Sequence, residues 1–402
     1  MTAVAEAADA RTALAFTLPP DREAHEPPEA RGVPRDGVAM LVSRGAAGEI
    51  SHHAFTDLPG LLLPGDLLVV NTSATLPAAV PLADGAADLA VHFSTPLPDG
   101  DWLVELRALA GTATVPYVGG SAGQQLGLPG GAVLTLGARF TGRLWQARLS
   151  TAVVPYLLRH GSPIRYSYVR RPWPLEAYQT VFGVRPGSAE MPSASRPFTP
   201  ETVAKLVARG VTFAPLTLHT GVSSLEGDED PYPEPFDVPP ATARLVNLTR
   251  RHGGRVIAVG TTVVRALESA ARLTGPRVAT PALAPGSALA PGSALAPGSA
   301  LASSPGAVFA RAPGTAPAVS ARAPGTARAV SAAAGWTEHI VSPENPLLVV
   351  DGLVTGLHEP RSSHLRMLAA FAGLDLLGRC YTAAIEHGYL WHEFGDLHLL
   401  LP

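Results

Sequence analysis

Two histidines, His219 and His358, follow apolar runs that read as buried strands, and a Gly260-Thr261-Thr262 turn follows a third such run, Val256–Val259. Imidazole titrates near neutrality, so a histidine just past a strand can move a proton. The same residue can equally do no more than satisfy a loop backbone. After the Gly-Thr-Thr turn a helical pattern begins, with Val263 and Leu267 one turn apart and Ala270 close behind. A strand, a tight glycine turn and a helix N-terminus aim free N–H groups and the positive end of a helix dipole above the sheet edge. Ligands of open α/β sheets bind at that edge. Ordinary βα turns have the same form, and Arg265 and Glu268 read equally well as a solvated helix face. The chain has no H-E-x-x-H, G-x-S-x-G, P-loop or G-x-G-x-x-G pattern, so no metal is expected. These residues alone define a ligand edge of Thr261, Thr262, His219 and His358, and no reaction.

Composition narrows the class. The chain of 402 residues is long enough for a sizeable core and two domains, and its 46% hydrophobic and 16% charged residues are those of a soluble globular protein. A net charge of −3 offers no global basic field for nucleic acid. Lys205 is the single lysine, which disfavours Schiff-base chemistry, and the lone Cys380 excludes an intramolecular disulfide or a cysteine zinc site. The first sixteen residues lack an apolar signal core, and no uninterrupted apolar run reaches the roughly 18 residues of a membrane span. A cytoplasmic location without membrane contact is expected, as is a monomer.

The elements that must position these groups follow from the pattern. Residues 1 to about 36 read as a loose arm packing only around Phe16–Pro20. Val38–Val42 and Ile50–Phe55 form a hairpin across Gly45–Gly48, and Leu67–Val70 is a buried strand ending at Asn71. From there to about residue 150 short strands alternate with turns, including Leu89–Phe93, Trp102–Leu109, Ala132–Leu136 and Leu144–Leu149, as in a small barrel or sandwich. Beyond residue 200, helices Pro200–Arg209 (capped by Thr199) and Pro240–Arg251 alternate with strands, which argues for βαβ units. Leu347–Asp351 reads as a further strand. Ser362 caps a helix with Leu365, Leu368 and Phe371 on one face and Gly373 just past its end.

Two segments are compositionally distinct. Pro163–Pro174 interleaves Arg165, Arg170 and Arg171 with Tyr166, Tyr168 and Trp173, which suits base stacking and phosphate contact, or an irregular loop packed beneath the sheet. Residues 276–334 repeat Leu-Ala-Pro-Gly-Ser-Ala-like units and then Arg-Ala-Pro-Gly-Thr-Ala units, with prolines too frequent for a helix or sheet. They are expected to be a disordered insertion within one domain. The full expectation is a flexible arm (1–15), an α/β domain in three parts (16–60, 153–275, 335–402), an inserted all-β barrel (61–152), and the low-complexity insertion.

Several strings together resemble the S-adenosylmethionine:tRNA ribosyltransferase-isomerase family of queuosine biosynthesis. They are Pro64-Gly-Asp-Leu-Leu-Val-Val-Asn71, Tyr178-Gln179-Thr-Val, Thr217-Leu-His219, Val256-Ile-Ala-Val-Gly-Thr-Thr262 with Arg265-Ala-Leu-Glu268-Ser269, Gly335-Trp-Thr-Glu, Asp351-Gly-Leu-Val-Thr355, His358, Ala370-Phe-Ala-Gly373 and Phe394-Gly-Asp396. The resemblance runs from about residue 16 to the C-terminus, outside the low-complexity stretch. It implies an α/β domain with an inserted β-barrel, agreeing with the pattern above.

It also implies transfer and isomerisation of the ribosyl group of S-adenosylmethionine onto 7-aminomethyl-7-deazaguanine in tRNA. The product is epoxyqueuosine, and adenine and methionine leave. S-adenosylmethionine would be the donor substrate and tRNA the partner. The implied proton-transfer residues are His219 and His358, and the implied binding residues are Asn71, Tyr178, Gln179, Gly260, Thr261, Thr262, Arg265, Glu268, Asp351 and Thr355. The chain departs from the family's runs at Asn71–Thr75 (Asn-Asp-Thr-Arg-Val), Pro192–Phe198 (Pro-Thr-Ala-Gly-Leu-His-Phe), Pro231–Glu234 (Met-His-Ser-Glu) and Thr355–Ser362 (Thr-Asn-Phe-His-Leu-Pro-Lys-Ser). Such losses of polar groups keep two alternatives open: the same fold and donor with another acceptor, or a non-catalytic nucleotide- or RNA-binding paralogue.

Overall fold

The apolar run Leu67–Val70 and the Asn71 that ends it are buried along their whole length because they lie inside a nine-stranded sheet. The computed structural model describes residues 14, 16–83, 88–110, 113–222, 232–273, 329–360 and 362–402. The chain enters the sheet by the hairpin β1 (Ala39–Arg44) and β2 (Glu49–Ala54), turns through the short α1 (Leu58–Leu61), and crosses to β3 (Leu67–Asn71) and the short β4 (Ser73–Thr75). Later strands complete the sheet: β13 (Thr212–Leu218), β14 (Glu234–Val238), β15 (Val256–Val259), β16 (Ala333–Thr337), β17 (Gly352–Gly356) and β18 (Leu397–Leu401), in the order β16-β14-β13-β3-β15-β17-β18-β1-β2. Strands β13, β3, β15 and β17 are mutually parallel, so their carboxyl ends share one edge.

Parallel strands with both faces covered read as continuous apolar runs. Alternate residues face opposite layers: Leu67, Val69, Val256 and Ala258 join one core, and Leu68, Val70, Ile257 and Val259 the other. The first core receives α4 (Pro240–Arg251), α5 (Thr261–Arg272) and α6 (Ser363–Glu386), while α3 (Pro200–Ala208) packs on the second.

Between β4 and the later strands lies a seven-stranded antiparallel sheet. It comprises β5 (Ala79–Pro81), β6 (Leu89–Pro96), β7 (Trp102–Ala110), β8 (Ala113–Pro116), β9 (Gln125–Leu128), β10 (Ala132–Arg139) and β11 (Leu144–Leu149), followed by α2 (Val153–His160). Its inward residues, among them Val91, Phe93, Val104, Leu134 and Leu144, form a separate core. A backbone hydrogen bond from Ala83 N–H to the Gly127 carbonyl (3.0 Å) nearly closes it into a barrel. The strand β12 (Arg185–Ser188) returns to pair with β4.

Several expectations are corrected. The inserted module begins near Ala79 rather than at residue 61, because β3 is an interior strand of the main sheet. The N-terminal segment packs further than Phe16–Pro20: Ala24 is buried and its N–H bonds the Trp391 carbonyl at 3.1 Å. Residues 347–350 are not a strand; the next strand is Gly352–Gly356. Their N–H groups are taken by a side chain instead, since Glu268 Oε2 accepts from Leu348 and Glu268 Oε1 from Val349 and Val350 (2.8, 2.9 and 3.1 Å).

Helix α6 does not end at Gly373. It kinks there, with φ 72° and ψ 158°, and continues to Glu386. That helix is long and apolar enough to cross a membrane, but Leu365, Leu368, Leu377, Cys380 and Tyr381 bury one side of it in the main core. His398 lies within β18, its Nε2 2.8 Å from Ser43 Oγ. Ala333 and Ala334 belong to β16, so the proposed insertion cannot extend to residue 334; its residues up to 328 lie outside the described residues.

Candidate functional site

A cavity of about 410 Å³ opens at the carboxyl edge of the parallel strands. Its floor is the turn from β15 into α5. Gly260 has φ 97°, a conformation that costs an L side chain energy, and its N–H is anchored to the Val354 carbonyl at 2.8 Å. This fixes Thr261 and Thr262, the first residues of α5, against the cavity. One turn on, Arg265 also lines it. Its guanidinium pairs with the Glu234 carboxylate and donates to the Tyr232 and Thr337 carbonyls at 3.2 and 3.1 Å, tying β14 and β16 to α5. Burial pushes the Glu234 carboxyl up, against the opposing pull of Arg265.

Thr355 comes from β17 and His358 from the loop just after it. The His358 Nε2 lies 2.9 Å from Thr355 Oγ1, its backbone N–H donates to Tyr381 Oη (3.1 Å), and its carbonyl accepts from Trp391 Nε1 (3.0 Å). Its ring stacks on His364 at 4.4 Å between centroids. Burial, and then the neighbouring His364, His392 and His398, hold the His358 pKa well below the usual imidazole value. The ring is therefore neutral at pH 7, with proton-accepting capacity beside the cavity.

Six of the residues singled out from sequence thus meet here: Gly260, Thr261, Thr262, Arg265, Thr355 and His358. The others stand behind the wall. His219 follows β13, its Nδ1 2.7 Å from Ser73 Oγ and its ring against Gly187, where any Cβ would lie 2.4 Å from it. Burial and then Arg185 lower its pKa. Asn71 is fully buried and cross-links strands: its Nδ2 donates to the Leu218 carbonyl (2.8 Å) and to Thr262 Oγ1 (3.3 Å), and its Oδ1 accepts from Leu218 N–H (3.0 Å).

The remaining four are also outside the cavity lining. Gln179 grips the Thr75 backbone through both amide atoms, at 3.1 and 2.8 Å. Tyr178 packs its ring on Phe394 at 5.2 Å. Asp351 accepts from the Val256 N–H at 2.9 Å. Glu268 is fully buried beneath the 347–350 segment.

The cavity has further walls: Tyr166 and Tyr168 of the aromatic-basic stretch, Glu359 of an altered run, and Glu190, His364, His392 and Glu393, which sequence patterns did not single out as a site. Tyr168 belongs to the aromatic-basic stretch, and it lies stacked between Tyr166 and His392 at 5.6 and 3.9 Å. No spacing rule links residues 168, 190 and 393, so only the fold reveals them together. Of the departures from the family's runs, Ser193, Tyr232, Gly356, Leu357 and Glu359 line the cavity. Arg196 does not; it reaches the Glu29 carboxylate at 2.9 Å and the Ala177 carbonyl at 2.9 Å.

A family model described as a queuosine biosynthesis protein matches residues 11–400. The chain belongs to that family. Membership makes it an enzyme of queuosine biosynthesis. Among its relatives, the S-adenosylmethionine:tRNA ribosyltransferase-isomerase of Acidiphilium cryptum is 32% identical, covering 96% of this chain and 97% of its own length. The enzyme of the same name from Thermotoga maritima is 30% identical over 96% of this chain and 98% of its own. The crystal structure of S-adenosylmethionine tRNA ribosyltransferase from Thermotoga maritima matches with a TM-score of 0.48 at 25% identity, covering 96% of this chain and 99% of that one.

Proposed function

We propose that the chain transfers and isomerises the ribosyl group of S-adenosylmethionine onto 7-aminomethyl-7-deazaguanine in tRNA, releasing adenine and methionine. The observation that carries this reading is the meeting of the Gly260-Thr261-Thr262 turn with His358 in one cavity at the strand edge, in a chain of this family. The sulfonium of the donor is already an electrophile and acidifies the carbon beside it. The protein's work is therefore to hold donor and acceptor together and to move protons. His358, neutral and facing the cavity, is the proton acceptor in this reading, oriented by Thr355. His219 is a positioning residue in this reading, since its Nδ1 is bound to Ser73 and it is Thr220, the next residue, that lines the cavity.

A second reading keeps the donor and changes the acceptor. It is favoured by the departures at Ser193, Tyr232, Gly356 and Glu359, all of which line the cavity. Calorimetric titration with S-adenosylmethionine, followed by mass spectrometry with deazaguanine-bearing tRNA, separates the two. Donor binding with release of adenine and methionine is expected. Binding without turnover on that tRNA would transfer the weight to another acceptor, and absence of donor binding would leave the non-catalytic paralogue.

A further inference from the structure

We infer that the end of the cavity formed by Tyr168, Glu190, His392 and Glu393 is a subsite for an organic cation, an ammonium or sulfonium group of a substrate. The inference rests on the reading of this cavity as the donor and acceptor site.

The loop that builds this end is tightly specified. Asp396 accepts from the N–H groups of Ala39 (2.8 Å) and Leu390 (2.7 Å), and Gly395 N–H bonds the His392 carbonyl at 3.0 Å. A Cβ at Gly395 would lie 2.3 Å from the Leu390 carbonyl, so the turn admits only glycine without a shift. The strain falls on His392, which has φ 75°, the one non-glycine residue with positive φ among the described residues. Strain held by surrounding bonds concentrates where geometry serves a site.

What the loop presents is a cation's complement. The His392 side chain is only 7% exposed, its Nε2 has no hydrogen-bond partner among the described residues, and its nearest charged neighbours are carboxylates: Glu23 Oε1 at 3.7 Å and Glu359 Oε1 at 3.5 Å. The Glu393 Oε2 is likewise buried without a partner. Burial first, and then the nearby Glu190, push the Glu393 carboxyl up to about 8. A buried carboxylate oxygen without a hydrogen-bond partner is costly, and a second carboxylate nearby adds to a cost that Arg196 offsets only in part. A bound cation removes both penalties at once. The face of Tyr168, stacked at 3.9 Å on His392, supplies the π surface that cations favour. The same cavity is also lined by the Thr261 and Thr262 turn, whose hydroxyls and helix N-terminus suit the anionic part of a ligand that bears both charges.

Titration of the full chain with S-adenosylmethionine, S-adenosylhomocysteine and free 7-aminomethyl-7-deazaguanine tests the subsite, comparing wild type with E393Q and E190Q. Each variant should bind at least one cationic probe about tenfold or more weakly. A loss confined to S-adenosylmethionine identifies the sulfonium. An equal loss for S-adenosylhomocysteine identifies the amino-acid ammonium, and a loss confined to the base identifies the acceptor amine. Wild-type affinity in both variants for every probe overturns the inference while leaving the functional reading intact. If wild type binds none of the three, that reading fails by itself. The subsite then stands or falls on whether trimethylsulfonium chloride raises the melting midpoint of wild type, but not of the variants, above that in equimolar sodium chloride. Because glutamine resembles the protonated carboxyl and needs no proton to stay neutral when buried, E393Q should melt no lower than wild type; a lowered midpoint would make Glu393 a structural carboxylate and overturn the assignment.

Discussion

At the scale of single residues, the two histidines that look alike in sequence separate in space. His358 faces the cavity with its Nε2 on Thr355, whereas His219 is held by Ser73. Replacing His358 with alanine is expected to lower turnover roughly 10²–10⁴-fold, the usual range for losing a general acid–base group, with donor affinity little changed. Replacing His219 should cost less turnover and act through the alignment of β4 and β13. Single-turnover kinetics beside calorimetry measure both. Unchanged turnover in His358→Ala removes its proton-transfer role. Both histidines were visible in the sequence because each follows an apolar run, but their division of labour was not. It depends on which side of a strand end the ring turns, and Gly187 and Ser73, remote in sequence from His219, decide that.

At the scale of elements, α5 organises its surroundings through three successive turns: Thr261 and Thr262 at its start, Arg265 next, then Glu268. The solvated-face reading of Arg265 and Glu268 does not hold, since both are buried. Glu268 substitutes for a strand partner by accepting from three backbone N–H groups of residues 348–350. Glu268→Ala should therefore destabilise the protein by roughly 3 kcal/mol or more, because each buried donor left unpaired costs about 1–3 kcal/mol. Denaturant melts check this; a loss below about 1 kcal/mol would show that the segment finds other partners. The helix cap predicted at Thr199 is formed, its Oγ1 accepting from Thr202 N–H at 3.1 Å. Thr199→Ala should cost about 1 kcal/mol in the same melts. Caps are local and legible, whereas the Glu268 contacts join residues some 80 positions apart and leave no local pattern.

At the scale of the whole molecule, buried ionisable groups give stability a sharp pH dependence. Burial lowers His92 and His398 to about 3 and His392 to about 4. The unfolded chain takes up these protons near pH 6.5 while the folded chain refuses them. Stability must therefore fall as pH drops from about 6.5 towards 4, by up to about 1.4 kcal/mol per pH unit for each such histidine. Glu393, raised to about 8, works the other way: the folded state holds a proton that the unfolded chain releases, so stability rises as pH falls from about 8 towards 4.5. The melting midpoint should accordingly peak near pH 6.5, where the histidine loss takes over from the Glu393 gain. A midpoint flat from pH 7 to pH 5 would mean that these histidines titrate normally in the folded protein.

The sequence by itself determined the elements whose information is local. These are the apolar runs of β3 and β15, the hairpin of β1 and β2, the helices after Thr199 and Pro239, the Gly260 turn, and the strings that resemble the family. Burial on both faces and the turn chemistry of glycine are written residue by residue, so they can be read without a partner. Only the tertiary structure decided where β3 belongs, because a four-residue apolar run has the same pattern in a barrel as in the middle of a parallel sheet. It also decided that Leu347–Val350 bonds a carboxylate rather than a strand, and that Tyr168, Glu190, His392 and Glu393 share one end of a cavity. Those facts come from the parallel order of β13, β3, β15 and β17, which brings distant loops to a single edge, and the spacing of the residues along the chain carries no trace of it.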